Sequence, residues 1–195
     1  MNETLLSAQL KQHTLTSHQQ LEKALIGQIR QINSPEMYVT MLQLFYSYFG
    51  ALEDYINQNI NSVQLSDYPL RRKTESILQD LKTFNGTKPE KTKIADLPVI
   101  TNNLQAFGAL YVIEGSTLGG QIISKMIMKQ LNLTDSKGLS FFSSYGDQTP
   151  AMWASFKTAL NRQAQNKEEE MLLINAADDT FVKFKYWIEK QESNR

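Results

Sequence analysis

The chain has 195 residues, and its 20 Lys plus Arg are balanced by 20 Asp plus Glu, so the formal net charge is zero. This balance gives no chain-wide attraction to nucleic acid or to an anionic membrane. The hydrophobic fraction of 41% is enough for one core, and the absence of cysteine excludes disulfides, thiolate metal sites and cysteine nucleophiles. We therefore expect a single domain, residues 1–195, in a reducing compartment such as the cytoplasm.

Targeting signals are not apparent in the sequence. The first residues lack the basic start, apolar run and cleavage site of a signal peptide, and no later apolar run approaches the ~18 residues of a membrane span. We expect a soluble cytoplasmic protein whose partners include neither nucleic acid nor membrane.

Periodic apolar residues predict helices from the start of the chain. The first helix covers 4–26 and is stopped by Gly27. The second begins with Ser34 as its N-cap and Pro35 at the first helical position. Its aromatic-rich pattern, which runs to about residue 60, is typical of a core helix.

The remaining pattern is also helical. A third helix follows Pro69, a long helix with several glycines begins near Val99, Thr149 and Pro150 repeat the cap-plus-proline signal, and a last helix covers 166–191. No two segments alternate with period two around a tight turn, so we expect an all-α fold. There is no internal repeat, which favours helices packed around one core.

The segment FGALYVIEGSTLGGQIISKMI, residues 107–127, contains four glycines within a helical pattern. At about 100° per residue, Gly108, Gly115 and Gly119 share one face, with Gly120 beside it. Together they forgo on the order of 2–4 kcal/mol of helix stability relative to alanine. Either close packing against another helix or contact with a flat ligand would compensate, and the spacing leaves both interpretations open.

Both histidines of the chain, His13 and His18, lie on the first predicted helix. They fall on opposite flanks of its apolar face, so periodicity does not choose between them. His18 shares its side with Lys11 and Glu22. A neutral imidazole beside an apolar face can bind haem iron, and a lysine can pair with a propionate. A partly exposed histidine next to a carboxylate is the alternative interpretation.

Three segments together resemble one family. LKQHTLTSHQQLE, residues 10–22, resembles the proximal helix of the haem oxygenases, and LYVIEGSTLGGQ, residues 110–121, resembles their distal helix. FFSSYG, followed by Trp153 and Phe156, is similar to the bacterial, biliverdin-producing branch. The resemblance implies a multi-helix bundle with haem between a proximal and a kinked distal helix.

The resemblance assigns roles by matched position. His18 corresponds to the proximal iron ligand, and Gly115 and Gly119 correspond to the glycines that let the distal helix kink over the haem. Lys11 and Tyr111 correspond to residues near the propionates.

Two further basic residues and one departure complete this assignment. Lys157 and, more loosely, Arg162 are additional candidates for the propionates. Ser116 stands where many haem oxygenases carry an aspartate that orders water near bound oxygen. Bacterial relatives also have EGS there, which indicates a different water network, and the Ser116 hydroxyl can both donate to and accept from such water. Glu114 offers a carboxylate one residue before Gly115, in a direction that the sequence does not define.

The implied activity is oxidative cleavage of haem at a meso carbon to biliverdin, carbon monoxide and ferrous iron. Haem would be both cofactor and substrate, with O2 and an external electron donor such as ferredoxin, flavodoxin or another reductase system as partners. The alternative is a non-catalytic haem-binding or haem-sensing protein on the same scaffold. A di-iron oxidase is disfavoured because it needs histidines on several helices.

Overall fold

The computed structural model describes residues 5–193, with side chains for residues 5–191, and this part of the chain is helical without strands. The all-α prediction is therefore confirmed. The helices are α1 Leu6–His13, α2 Leu15–Gln31, α3 Pro35–Asn59, α4 Glu75–Thr83, α5 Asn103–Gln130, α6 Ser140–Ser143, α7 Thr149–Leu160 and α8 Lys167–Ser193. Three short 3-10 turns cover Tyr68–Leu70, Ile94–Asp96 and Gly146–Gln148.

The first predicted helix is in fact two helices, and its expected start at residue 4 lies outside the described residues. α1 ends and α2 begins at Thr14, whose hydroxyl donates to the Leu10 carbonyl oxygen at 2.8 Å. The prediction that Gly27 stops the helix is wrong, because α2 continues to Gln31. A single helical glycine costs only about 1 kcal/mol relative to alanine, and burial of Ile29 beyond it stabilises the last turn.

The start of α3 follows the prediction, whereas the next two starts are displaced. The Ser34 hydroxyl accepts a hydrogen bond from the Met37 backbone N–H at 3.3 Å, as expected for an N-cap. The residues around Pro69 form only a 3-10 turn, so the third helix starts later, at Glu75. α5 begins at Asn103, after residue 102 caps it, and not near Val99.

The predicted N-cap of α7 is wrong, whereas the predicted bounds of α8 are close to those observed. Thr149 is not an N-cap, because it is already the first residue of α7 and its hydroxyl donates to the Gly146 carbonyl oxygen. The last helix, α8, agrees with the predicted 166–191 to within two residues at its end. Asn166 precedes it and accepts from the Glu169 backbone N–H at 3.0 Å.

Helix α8 connects the two helices that matter most for the site. It approaches α5 so closely at Gly108 that a side chain there would collide with the Leu173 backbone carbonyl. Further along α8, Asp178 accepts a hydrogen bond from Ser17 on α2. α8 therefore packs against both α2 and α5. Within residues 5–193, no helix combines the length and apolarity needed to cross a membrane.

Candidate haem site

Helices α2 and α5 run in the same direction and approach each other at both ends of α2. At one end, the Thr14 hydroxyl is close enough to Tyr111 to lower the pKa of its phenol. At the other, the Gln130 side-chain amide donates to the carbonyl oxygens of Ile29 and Arg30, at 3.0 and 3.1 Å. We call the space between these two contacts, with α8 as its floor, the cleft.

His18 lies on the side of α2 that faces the cleft. It follows Thr14 by four residues, and residues four apart share a helical face. Its imidazole is exposed, and the ring centroid lies 5.3 Å from that of Phe181 on α8. The other histidine, His13, belongs to α1, where its Nδ1 lies 3.0 Å from the Gln9 carbonyl oxygen. The structure thus distinguishes two histidines that periodicity left equivalent.

Two of the four glycines of α5 leave the opposite wall of the cleft without side chains. Gly115 follows Tyr111 by one turn and Gly119 follows by two, so both face α2. A methyl group added at Gly115 would make ordinary contact with Trp153 of α7, at 3.6 Å. One added at Gly119 would meet no atom within 4 Å. Both positions can therefore accept a ligand close to the backbone.

The other two glycines serve helix packing. A side chain at Gly108 would collide with the backbone of α8, and one at Gly120 would collide with the Phe142 carbonyl oxygen. Close packing therefore accounts for Gly108 and Gly120, whereas contact with a flat ligand stays a prediction for Gly115 and Gly119. α5 passes through all four glycines as one uninterrupted helix, and the kink over the haem stays a prediction.

Tyr111 and Trp153 form the corner where α5 meets α7. Their ring centroids are 5.4 Å apart, and Tyr111 is largely buried. Burial raises the pKa of Tyr111, although the Thr14 hydroxyl opposes this shift. The phenol is therefore protonated at neutral pH and can donate to a carboxylate. Trp153 belongs to the segment that carried the family resemblance, but it was not predicted as a site residue.

Lys11 and Lys157 lie along the edge between this corner and the far end of α7. At that end, the side-chain oxygen of Asn161 accepts from the Ser7 backbone N–H of α1 at 2.8 Å. Each lysine is one turn from this contact, on the part of its helix that leads toward the corner. Arg162 lies just beyond α7 and is exposed. The edge therefore contains two of the predicted propionate residues, and Arg162 follows Asn161 at its far end.

A buried face of α5, about 100° around the helix axis from Gly115, carries a carboxylate, Glu114. Its Oε2 lies 2.7 Å from Nη1 of Arg71, and neither side chain is exposed. Asp67 binds the same guanidinium through Nε and Nη2, at 3.0 and 2.6 Å. The Tyr145 hydroxyl donates to Glu114 Oε1 at 2.9 Å. Glu114 thus points into the protein, and its role is to connect α5 to the segments that carry Arg71 and Tyr145.

The protonation states within this network follow from its surroundings. Burial by itself lowers the pKa of Arg71, but Asp67 and Glu114 outweigh this effect and raise the pKa above its usual range. Burial raises the pKa of Tyr145, and the Glu114 carboxylate raises it further. At neutral pH the network therefore contains a cationic guanidinium and a neutral phenol, both donating to Glu114.

Ser116 borders the glycine face and is held by Arg72. One terminal nitrogen, Nη2, donates to Ser116 Oγ at 2.8 Å and to the Ile113 carbonyl oxygen at 2.9 Å. The other, Nη1, donates to the Phe141 carbonyl oxygen and to Ser144 Oγ, at 3.2 and 3.1 Å. The Ser116 hydroxyl itself donates to Ile113, at 2.7 Å. This differs from the prediction, because its hydrogen is used within the protein.

Arg71 and Arg72 are the residues that the sequence did not reveal. The available signal was the basic run RRK at 71–73, before the third helix. Their partners on α5, Glu114 and Ser116, are 43 and 44 residues further along the chain. Pairing at this separation is set by tertiary packing, which helical periodicity does not report.

Comparison with known proteins identifies the family. The family model described as Heme oxygenase matches residues 4–190. A protein of Xanthomonas campestris pv. campestris (strain 8004) named Heme oxygenase is 25% identical over 152 residues, which cover 76% of this chain and 87% of that protein.

Solved structures of heme oxygenases share the fold. The structure from Neisseria meningitidis, with NO and CO bound, has a TM-score of 0.83 at 20% identity and covers 98% of this chain and 94% of its own. The one from Leptospira interrogans has a TM-score of 0.77 at 22% identity, covering 96% and 100%. Heme oxygenase-1 from the cyanobacterium Synechocystis, in complex with heme, has a TM-score of 0.77 at 18% identity, covering 98% and 94%. Because the family model spans nearly the whole sequence, the chain belongs to the heme oxygenase family, whose members are enzymes of haem degradation.

Proposed function

We propose that the protein is a haem oxygenase that binds haem in the cleft and cleaves it to biliverdin, carbon monoxide and ferrous iron. The observation that carries the proposal is the pairing of His18 with Gly115 and Gly119 across one cleft. A histidine on one wall can hold the iron, and a wall without side chains leaves room for a flat ring and a diatomic molecule. Family membership supports the same activity.

The residues around the cleft fit haem in shape and charge. When bound, haem supplies the iron that activates O2 and the ring that is opened at a meso carbon. His18 is exposed, so its imidazole is accessible as a ligand, and the Phe181 ring beside it limits its rotation. Gly119 has no neighbour where a side chain would stand, so backbone can approach the ring closely.

The edge between α1 and α7 suits the propionates. Lys11 and Lys157 supply positive charge there, and the neutral phenol of Tyr111 supplies a hydrogen-bond donor. Binding both propionates along one edge would set the rotation of the ring in the cleft, and therefore which meso carbon faces the O2 position. Trp153 borders both Gly115 and Tyr111 and would restrict access of water from this side.

The first experiment tests the iron ligand by hemin titration of the full chain. The His18→Ala variant is expected to lose the absorption spectrum of a histidine-ligated haem, because no other side chain is proposed to replace the imidazole. The matched control is His13→Ala, which removes the other histidine and should keep that spectrum. A normal spectrum for His18→Ala, or loss of it in His13→Ala, would contradict the proposed ligand.

A second experiment tests the empty wall with two matched glycines. Gly119→Leu places a side chain in the cleft and is expected to prevent hemin binding or turnover. Gly27→Leu is the control, because Gly27 is also helical, also has no atom within 4 Å of a built side-chain carbon, and lies on the opposite side of α2 from His18. Both variants should melt at a similar temperature without haem. Normal turnover by Gly119→Leu would mean that this face does not contact haem.

Turnover separates the enzyme from a haem-binding or haem-sensing protein on the same scaffold. The hemin complex is mixed with an electron donor in air and followed by absorption. We expect the Soret band to disappear and biliverdin to form. In the cell, we expect ferredoxin, flavodoxin or another reductase system to supply the electrons, and we expect the reaction to take place in the cytoplasm. A complex that stays intact under reducing conditions would identify a binder.

A further inference from the structure

The hydrogen-bond directions around Ser116 are fixed by the chemistry of its partners. A guanidinium can only donate and a carbonyl oxygen can only accept. The Ser116 hydroxyl therefore accepts from Arg72, at 2.8 Å, and donates to Ile113, at 2.7 Å. One lone pair of its oxygen remains, so towards any further partner this serine acts as an acceptor.

The position of Ser116 makes this acceptor available to the cleft. Around the axis of α5, Ser116 stands about 60° from Gly119, on the border between the buried face and the glycine face. Its side chain is exposed, whereas its neighbour Thr117 is buried. A water molecule on the glycine face is therefore within reach of the free lone pair.

We propose that Arg72 is a positioning residue that fixes Ser116 as a hydrogen-bond acceptor for a water molecule on the glycine face of the cleft. The inference rests on the proposed function. A water that donates one hydrogen to Ser116 has its second hydrogen available for a ligand on the iron. In this respect the serine replaces the aspartate found in many relatives, because an ionised carboxylate is also only an acceptor.

Arg72 is suited to this role because its own position is fixed. Its terminal nitrogens donate to four groups, two on α5 and two in the segment that contains α6. Its guanidinium carbon also lies 4.2 Å above the centroid of the Phe141 ring. Burial lowers the pKa of Arg72, but an arginine remains charged at neutral pH. The positively charged guanidinium of Arg72 is thus held in a fixed position next to the neutral acceptor, Ser116.

The test uses the ferric hemin complex of the full chain, with sodium fluoride as an anionic probe that accepts a hydrogen bond. Ser116→Ala and Arg72→Met are each expected to weaken fluoride binding about tenfold, the size of one hydrogen bond to a charged group. Carbon monoxide binding to the ferrous complex, which depends little on such a bond, should be unchanged. The matched control is Ser144→Ala, which removes another acceptor of Arg72 away from the cleft and should leave fluoride affinity unchanged.

A double variant shows whether Arg72 acts through Ser116. If it does, Arg72→Met should add little to the loss already caused by Ser116→Ala. Full additivity would overturn the inference, as would wild-type fluoride affinity in Arg72→Met. Arg72→Lys provides a second route if the methionine variant does not fold, because lysine retains the charge and a donor. It should lose less fluoride affinity than Ser116→Ala, and a larger loss would also overturn the inference.

These results are distinguishable from failure of the proposed function. If the wild-type protein does not bind hemin, both proposals fail together. If it binds hemin and forms biliverdin while fluoride affinity is the same in wild type, Ser116→Ala and Arg72→Met, only the role assigned to Arg72 and Ser116 is wrong.

Discussion

The two walls of the cleft are held in place by different forces. α5 is held on its buried side by a charged network, in which Glu114 accepts hydrogen bonds from Arg71 and Tyr145. α2 rests on α8, where a neutral hydroxyl, that of Ser17, donates to the partly buried carboxylate of Asp178. The wall that is proposed to face O2 is thus anchored by ionic contacts in addition to packing, whereas the wall that carries the histidine rests on packing and on polar contacts without an ion pair.

This difference follows from what each wall must present. On the cleft side, α5 offers Gly115 and Gly119, which have no side chains that could lock the helix by interdigitation. Fixation must therefore come from its buried faces, where α5 packs closely at Gly108 and Gly120 and directed bonds to Glu114 hold it. The α2 wall presents His18, which Phe181 contacts directly, so ordinary packing can orient it. A binding site formed by backbone without side chains needs contacts on other faces of the helix to keep it rigid.

The largest expected effect comes from Glu114→Ala. Removing this carboxylate leaves part of the buried positive charge of Arg71 uncompensated. Breaking a buried ion pair in this way typically lowers the free energy of unfolding by about 3–5 kcal/mol. The measurement is chemical denaturation of the haem-free protein. Asp54→Ala is the control, because the exposed Lys91–Asp54 pair should contribute less than about 1 kcal/mol. Similar losses in both variants would mean that the buried network does not anchor α5.

A smaller effect is expected from two adjacent glycines that lie on different faces of the same helix. Gly120→Ala forces a methyl group against the Phe142 carbonyl, and such overpacking usually costs about 1–3 kcal/mol. Gly119→Ala meets no neighbour and should gain about 0.5–1 kcal/mol, because alanine favours the helix. Unfolding free energies of the two haem-free variants should therefore move in opposite directions. Equal changes would contradict the distinction between a packed and an open face.

The sequence predicted the elements of the cleft better than the contacts that fix them. The helical periodicity, the Ser34 cap and the four unusual glycines were readable because they depend on residues close in the chain. The stop at Gly27 failed because burial of Ile29 outweighs the local cost of a glycine. The pairing of Glu114 with Arg71 was hidden, since it is made 43 residues apart and no periodic signal encodes it.

The resemblance to a family identified two positions that periodicity does not distinguish, His18 and Ser116, and gave no information on a third, Arg72. It chose His18 over His13, and the structure places His18 on the cleft side of α2 by its relation to Thr14. It showed that Ser116 replaces the aspartate of many relatives, but it did not indicate which residue compensates for this replacement. The explanation requires Arg72, whose hydrogen bonds exist only once α5 and the segment around residue 72 are packed together.

The smallest expected effect is on the α2 wall. Ser17→Ala removes the hydroxyl that donates to Asp178, a bond whose net contribution to the unfolding free energy is about 0.5–1.5 kcal/mol. The cost should not be larger, because Asp178 is only partly buried and water can solvate its carboxylate. Thr16→Ala is the matched control, since Thr16 is exposed and its removal should change stability by no more than about 0.5 kcal/mol.

Ser17→Ala also shows whether the α2 wall tolerates the loss of a polar contact in the way that the α5 wall should not. Phe181 still contacts His18 in this variant, so the hemin complex should keep its histidine-ligated spectrum. If the variant lost as much stability as Glu114→Ala, or lost that spectrum, α2 would depend on directed bonds as strongly as α5 does. The two walls would then be anchored by forces of equal strength, and the bare face of α5 would no longer explain the buried charges behind it.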